Sequence, residues 1–385
     1  MSNAPSEIRI LHRKAIYPDT SGGNLRTMNI AHLAREVFNH TTVFSMDNRF
    51  KYEGTIDGIQ VIQEKELHSV KDKVMHYARA ITARELIIPY TKRAFDNSKN
   101  SLFQIEDPLL YPLLKKERIF RFVLDEQNVN WEMFAIPQPD IKKQIYAKIA
   151  FRRDMENEKR ALKCAAQVIC CSYRDRDILV SEVPEISDKI SVIPNCVNFN
   201  EYNIVRQSTI REPDEQKSRI LFIGTFSHPP NADAVRLICR IIAPQSSRNC
   251  QFIIAGKNPP VIRHPENVQF YGYVSDVRKA IAEADICIAP IRSGSGTRLK
   301  ILEYMAMGKP VIATSKGAEG IEYTNDLNII IEDMIEKYPE IIRQLLDDEP
   351  KCSALGRQAV SLVRKSYDWE LYRKSLEKIY RDAAG

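Results

Sequence analysis

Two cations, Arg298 and Lys300, stand at the head of a helical pattern directly behind a glycine- and hydroxyl-rich run, Ser293-Gly294-Ser295-Gly296-Thr297. Positive charge is disfavoured at that end of a helix, where the dipole attracts anions. A bound diphosphate resolves the conflict. The glycines let the backbone approach a ligand, the first helical N–H groups have no internal partners, and the two cations add charge to the cradle. One turn further on, Glu303 is placed to accept hydrogen bonds from a sugar hydroxyl. Apolar spacing predicts a buried face of Leu299, Leu302, Met305 and Ala306, and Gly308 followed by Pro310 ends the helix.

Strand-loop-helix units must carry such a cradle, and the chain repeats them. A short strand at 8–11 leads through Gly22-Gly23 into a helical pattern at 24–36. Strands follow at 41–46, as an extended piece at 56–62 after a Gly54/Gly58 turn, and at 101–105, 120–124 and 168–171. The count restarts at 219–223 with Gly224 and Thr225, then continues through 251–255, 268–273, 285–289, 311–314 and 329–331. Alternation of this kind predicts an α/β chain with doubly wound parallel sheets. No G-x-G-x-x-G fingerprint follows the first strand, which argues against an ordinary dinucleotide dehydrogenase. Glu106-Asp107 and Asp125-Glu126-Gln127-Asn128 put polar groups at the carboxyl ends of two strands, the edge where ligands sit in an open parallel sheet.

Composition sets the outer limits. A chain of 385 residues, 44% hydrophobic, suggests two or three domains with ample material for cores. The net charge of +6 is spread along the chain, so nucleic acid is not an expected partner. Eight cysteines occur without a Cys-x-x-Cys pair and read as small core residues of a reducing cytosol. No signal peptide opens the chain, and no apolar run approaches the roughly 20 residues needed to span a bilayer, so a cytoplasmic location is expected. Two basic helical patterns stand out: 69–97, with Lys71, Lys73, Arg79, Arg84, Lys92 and Arg93, and 140–166, with Lys142, Lys143, Lys148, Arg152 and Arg153. They read either as solvated faces or as a weak, salt-sensitive peripheral contact with the inner face of a membrane.

The run Gly-Thr-Arg-Leu-Lys from Gly296, continued by Glu-Tyr-Met-Ala-Met-Gly-Lys-Pro-Val-Ile-Ala-Thr from Glu303, resembles the donor-site helix of GT-B glycosyltransferases of the group 1 (GT4-like) superfamily. The usual family pattern has two glutamates here; Glu303 matches the one that binds the donor ribose, and Ser295 stands at the other. The resemblance covers nearly the full length. It implies two Rossmann-like domains facing a cleft, residues 1–203 on the acceptor side and 204–366 on the donor side, with 367–385 packing back on the first. It also places Gly22, Gly23, Gly224 and Thr225 beside the donor, and Tyr273 and Val274 against its nucleobase. Gln127 takes the place of a family histidine facing sugar and acceptor. It can orient a hydroxyl but cannot act as acid or base. Asp125 and Glu126 then become the ionisable candidates, with Glu106 and Asp107 as rivals and Asn128 beside them.

The activity so implied is transfer of a sugar, with retention of configuration, from a nucleotide-diphosphate sugar to a glycan, lipid-linked or small-molecule acceptor. It needs neither metal nor further cofactor, Arg298 and Lys300 serving the phosphates. A GT-B epimerase and a non-catalytic nucleotide-sugar binder are the competing readings, the second prompted by Ser295 and Gln127 at positions usually filled by Glu and His.

Overall fold

The computed structural model describes residues 5–17, 22–47, 51–65, 92–129, 131, 141–208, 217–294 and 296–385. The chain divides into two compact units, Met1–Pro194 joined by Tyr372–Gly385, and Asn195–Leu371.

The first unit is built on β1 (Glu7–His12), β2 (His40–Asp47), β3 (Tyr52–Ile56), β4 (Ile59–Lys65), β5 (Ser101–Ile105), β6 (Phe122–Glu126), β7 (Gln167–Cys170) and β8 (Ile190–Val192). Their order in the sheet is β3-β4-β2-β1-β5-β6-β7-β8. All pair in parallel except β3, which turns through Asp57 and Gly58, both at positive φ, to run antiparallel to β4. That hairpin replaces the single extended piece expected at 56–62. Gly54 lies within β3 and not in a turn, and a Cβ there would sit 2.8 Å from the Tyr52 hydroxyl.

The second unit carries β9 (Ser218–Ile223), β10 (Cys250–Ala255), β11 (Val268–Gly272), β12 (Ile286–Ala289), β13 (Val311–Ala313) and β14 (Ile330–Ile331), in the order β11-β10-β9-β12-β13-β14 and parallel throughout. Alternate side chains enter different cores. Leu221, Ile223, Ile253, Cys287 and Val311 join one, while Ile220, Phe222, Phe252, Ile254, Ile286 and Ile288 join the other. Burial on both faces is why these strands read as near-continuous apolar runs.

Among the parallel strands of each sheet the order reverses once, beside β1 in the first unit and beside β9 in the second. Such switch points open a crevice at the carboxyl ends of the strands. The first helix, Gly22–Ala34, starts there, two residues earlier than expected, so both glycines lie in its first turn. The helix Leu299–Ala306 starts at the switch point of the second unit from its other side, after β12, the neighbour of β9. Its buried residues run from Ile301 to Ala306, whereas Leu299 is only half-buried. Six cysteines are buried, Cys352 is half-buried and Cys164 exposed, all with free thiols. Among the described residues no helix is long and apolar enough to cross a membrane.

Candidate functional site

The loop between β12 and its helix turns through Gly294 and Gly296, both at positive φ (101° and 77°). A Cβ on Gly294 would come within 2.9 Å of the Arg298 guanidinium, so that glycine makes room for the cation. Arg298 is the N-cap residue of the helix, one position earlier than expected. It folds back over its own loop, donating to the carbonyls of Gly296 and, at 3.3 Å, Ser293. Burial lowers its pKa, with Glu319 opposing. Lys300 Nζ donates to Asn231 Oδ1 at 2.8 Å and lies 4.3 Å from the centre of the Phe222 ring. Burial and then the neighbouring Arg298 push its pKa down to about 7, against the pull of Glu303. Among the described residues no carboxylate forms a salt bridge with Lys300.

The loop after β9 closes on the same spot. A Cβ on Gly224 would lie 3.0 Å from both Asn231 and the Lys300 ammonium, and Asn231 Nδ2 reaches the Thr225 carbonyl at 2.9 Å. Gly256, at φ 145°, is required by contact: a Cβ there would stand 1.7 Å from the Gly224 carbonyl oxygen. Thr297 is buried, its hydroxyl has no hydrogen-bond partner among the described residues, and its carbonyl accepts from Asn195 at 3.4 Å. Glu303 is buried and accepts from the Tyr202 hydroxyl at 2.8 Å. Burial raises its pKa while Tyr202 and Lys300 hold it down. Tyr273 is exposed with the Lys257 ammonium 5.0 Å over its ring, and Val274 packs on the core. Ser295 lies outside the described residues.

In the first unit, Gly23 meets Gln127: a Cβ on the glycine would stand 2.8 Å from Gln127 Oε1. Gln127 Nε2 donates to Glu106 Oε2 at 2.7 Å and to Thr27 Oγ1 at 3.3 Å. Glu106, Gln127 and the Gly22-Gly23 turn are thus brought together. The other carboxylates are otherwise engaged. Asp125 is fully buried and held by both arms of Arg26, at 2.7 and 2.8 Å, which makes it a counter-ion and not a free base. Arg26 also donates to the carbonyls of Ile193 (2.9 Å) and Pro194 (3.2 Å). Glu126 is buried, and burial with Glu158 and Asp107 nearby pushes its pKa well up. Asp107 caps the turn Pro108–Leu110 through the Leu109 N–H at 2.9 Å and pairs with Arg13 at 3.1 Å. Asn128 is half-buried beyond β6.

Sequence reasoning missed Arg26, Thr27 and Tyr202, whereas the loop from Thr225 to Asn231 was expected to border the donor. Arg26 and Thr27 lie within one turn of the glycine pair, so position relative to the glycines is the signal that was available. Of the basic residues weighed for a membrane, Arg93 pairs with Glu53 and Arg153 with Asp154, each at 2.7 Å. Lys71, Lys73, Arg79 and Arg84 lie outside the described residues, as do the side chains of Lys92, Lys142, Lys143 and Lys148.

Comparison with known proteins gives this geometry a frame. Residues 217–348, about a third of the chain and all six strands of the second unit's sheet, match the model of the family "Glycosyl transferases group 1". Sucrose-phosphate synthase from Thermosynechococcus elongatus superposes with a TM-score of 0.73 at 16% identity, covering 98% of each chain. The fold is GT-B. A GDP-mannose-dependent monoacylated alpha-(1-6)-phosphatidylinositol monomannoside mannosyltransferase from Corynebacterium glutamicum is 25% identical over 159 residues, 38% of this chain and 42% of that protein. A phosphatidyl-myo-inositol mannosyltransferase from Mycobacterium leprae is 24% identical over 205 residues, 50% of this chain and 53% of that protein. The matched stretches span about half the length of these curated relatives.

Proposed function

We propose that the chain is a glycosyltransferase that moves a sugar, with retention of configuration, from a nucleotide-diphosphate sugar to a glycan or lipid-linked acceptor. The observation that carries this reading is Lys300. A lysine held near neutrality by burial, beside a second desolvated cation and beneath a glycine loop at a helix N-terminus, is an unfavourable arrangement until a polyanion enters. As the sugar–oxygen bond breaks, negative charge accumulates on the departing diphosphate while the sugar becomes oxocarbenium-like. Arg298, Lys300 and the loop N–H groups oppose that charge without reorganising. Glu303, oriented by Tyr202, takes the ribose hydroxyls. A lipid-linked acceptor is supported by the two mannosyltransferases, whose names specify phosphatidylinositol substrates. Contact with the membrane that carries it is then peripheral and salt-sensitive.

A thermal-shift screen of UDP, GDP, ADP and their sugar conjugates tests the reading, because any ligand that binds only the folded chain raises its melting temperature. Stabilisation by one nucleotide series is expected, and none by any series contradicts it. Donor alone should give hydrolysis or no reaction; an interconverted sugar would identify an epimerase instead.

Two further results are expected. Glu303→Ala weakens nucleotide-sugar binding by about 10-fold or more, the loss of charge-assisted hydrogen bonds, and leaves the unfolding transition cooperative. Unchanged donor affinity in calorimetry removes Glu303 from the site. Activity persists in excess chelator, because two cations already occupy the role a metal would take at the phosphates. Strict dependence on added manganese or magnesium contradicts that part of the mechanism.

A further inference from the structure

A chain of buried hydrogen bonds joins the last helix, Arg373–Ala384, to Gln127. The fully buried Tyr380 hydroxyl donates to Gln104 Oε1 at 2.7 Å. Gln104 Nε2 donates to Glu106 Oε1 at 2.6 Å, and Glu106 Oε2 accepts from Thr27 at 2.9 Å and from Gln127 Nε2 at 2.7 Å. Gln104, Glu106 and Thr27 are all more than nine-tenths buried, and the Thr27 hydroxyl also reaches the Gly23 carbonyl at 3.1 Å.

The polarity of the chain is determined at one end. Burial keeps the Tyr380 phenol protonated by pushing its pKa well up, so its O–H remains available as a donor, and it donates to the amide oxygen of Gln104. That turns the Gln104 N–H group toward Glu106 and makes Glu106 the acceptor of three donors. Gln127 is oriented in its turn, with its N–H group on Glu106 and Thr27 and its oxygen over Gly23, where no Cβ stands. An amide oxygen so placed can accept a hydrogen bond from a hydroxyl but offers it no donor.

We propose that Tyr380 is a positioning residue for Gln127: acting through Gln104 and Glu106, it fixes which end of the Gln127 amide faces the Gly22-Gly23 turn. The value of that placement for sugar transfer rests on the function proposed above, but the relay itself does not. Glu106 is faced by Asp125 from β6, Arg26 from the first helix and Tyr380 from the last. Burial and then Asp125 push its pKa up to about 8, while Gln104, Arg26 and Gln127 resist. Above that pH the ionised carboxylate holds all three donors. Below it a carboxyl proton competes with them and the hold on Gln127 loosens.

The test follows the side-chain amide resonance of Gln127 in the full-length chain, assigned with Gln127→Met, as pH is carried through the window around 8. The resonance should titrate with Glu106. Tyr380→Phe frees the Gln104 amide to turn its oxygen toward Glu106, so the midpoint should rise by about one unit. Gln104→Met removes the same donor, should shift the midpoint the same way, and decides the matter if Tyr380→Phe does not fold. A Gln127 resonance insensitive to pH in the wild type, or a midpoint unmoved in the folded variants, overturns the proposal. Nucleotide binding is recorded on the same samples; its absence in the wild type counts against the transferase reading and leaves the relay result standing.

Discussion

Lys300→Met lowers kcat/KM for the nucleotide sugar by about 100-fold, on the order of 3 kcal/mol of transition-state stabilisation, and at the same time makes the folded chain more stable. The loss follows from geometry: the ammonium is held by Asn231 over the Phe222 ring, next to Gly224 and with Arg298 near it. The gain follows from linkage. Lys300 titrates near 7 when folded and near its ordinary 10.5 when unfolded. Below about 7 both states carry the proton and the folded state bears the full cost of the buried charge. Between those values the unfolded chain binds more protons, so stability rises with pH until the cost is gone. Methionine abolishes that rise. Melting temperatures of the two proteins should therefore differ most at neutral or lower pH, with the variant higher, and converge as pH approaches 10.5. A variant that is less stable, or one of normal activity, contradicts the assignment. Such opposition of stability and activity is common where a site holds an unsatisfied charge for its ligand.

Arg26→Met has the largest expected effect on folding. Removing the guanidinium leaves Asp125, fully buried, without its counter-ion and strips the Ile193 and Pro194 carbonyls of a donor. Breaking a buried pair from one side costs about 3–5 kcal/mol, a large share of a domain's stability. Replacing both partners by apolar residues of similar volume, as in Arg26→Met with Asp125→Leu, should recover at least half of that, since no isolated charge remains. Urea unfolding measures both. A single variant within about 1 kcal/mol of wild type would show that Asp125 does not depend on Arg26 as its partner.

The parallel α/β plan and the glycine loop that leads into the helix Leu299–Ala306 were legible in the sequence because both are local: strands buried on two faces are near-continuous apolar runs, and Gly294 to Lys300 is a single segment whose glycines announce its turns. What stayed hidden depends on distant partners. Asp125 looked as available as Glu106 because each stands at the end of a strand; only the Arg26 fork, reaching from a helix near the start of the chain, separates a counter-ion from a carboxyl with a pKa near 8. Tyr202 and Tyr380 gave no signal, since a tyrosine on an apolar helix face looks like core until its hydroxyl is traced to Glu303 or Gln104. The β3 hairpin was missed for a smaller reason, that Asp57-Gly58 is a two-residue turn inside what looked like one strand.

The central claim, that Arg298 and Lys300 form a diphosphate site, is tested most directly by calorimetric titration of UDP and GDP below and above the pKa of Lys300, in buffers of different ionisation enthalpy. Because the free lysine is largely neutral above about 7 and the bound diphosphate requires its charge, binding on the alkaline side should take up close to one proton and weaken as pH rises. Lys300→Met should bind more weakly and take up none. Nucleotide binding with no proton uptake in the wild type, or no binding at either pH, contradicts the account.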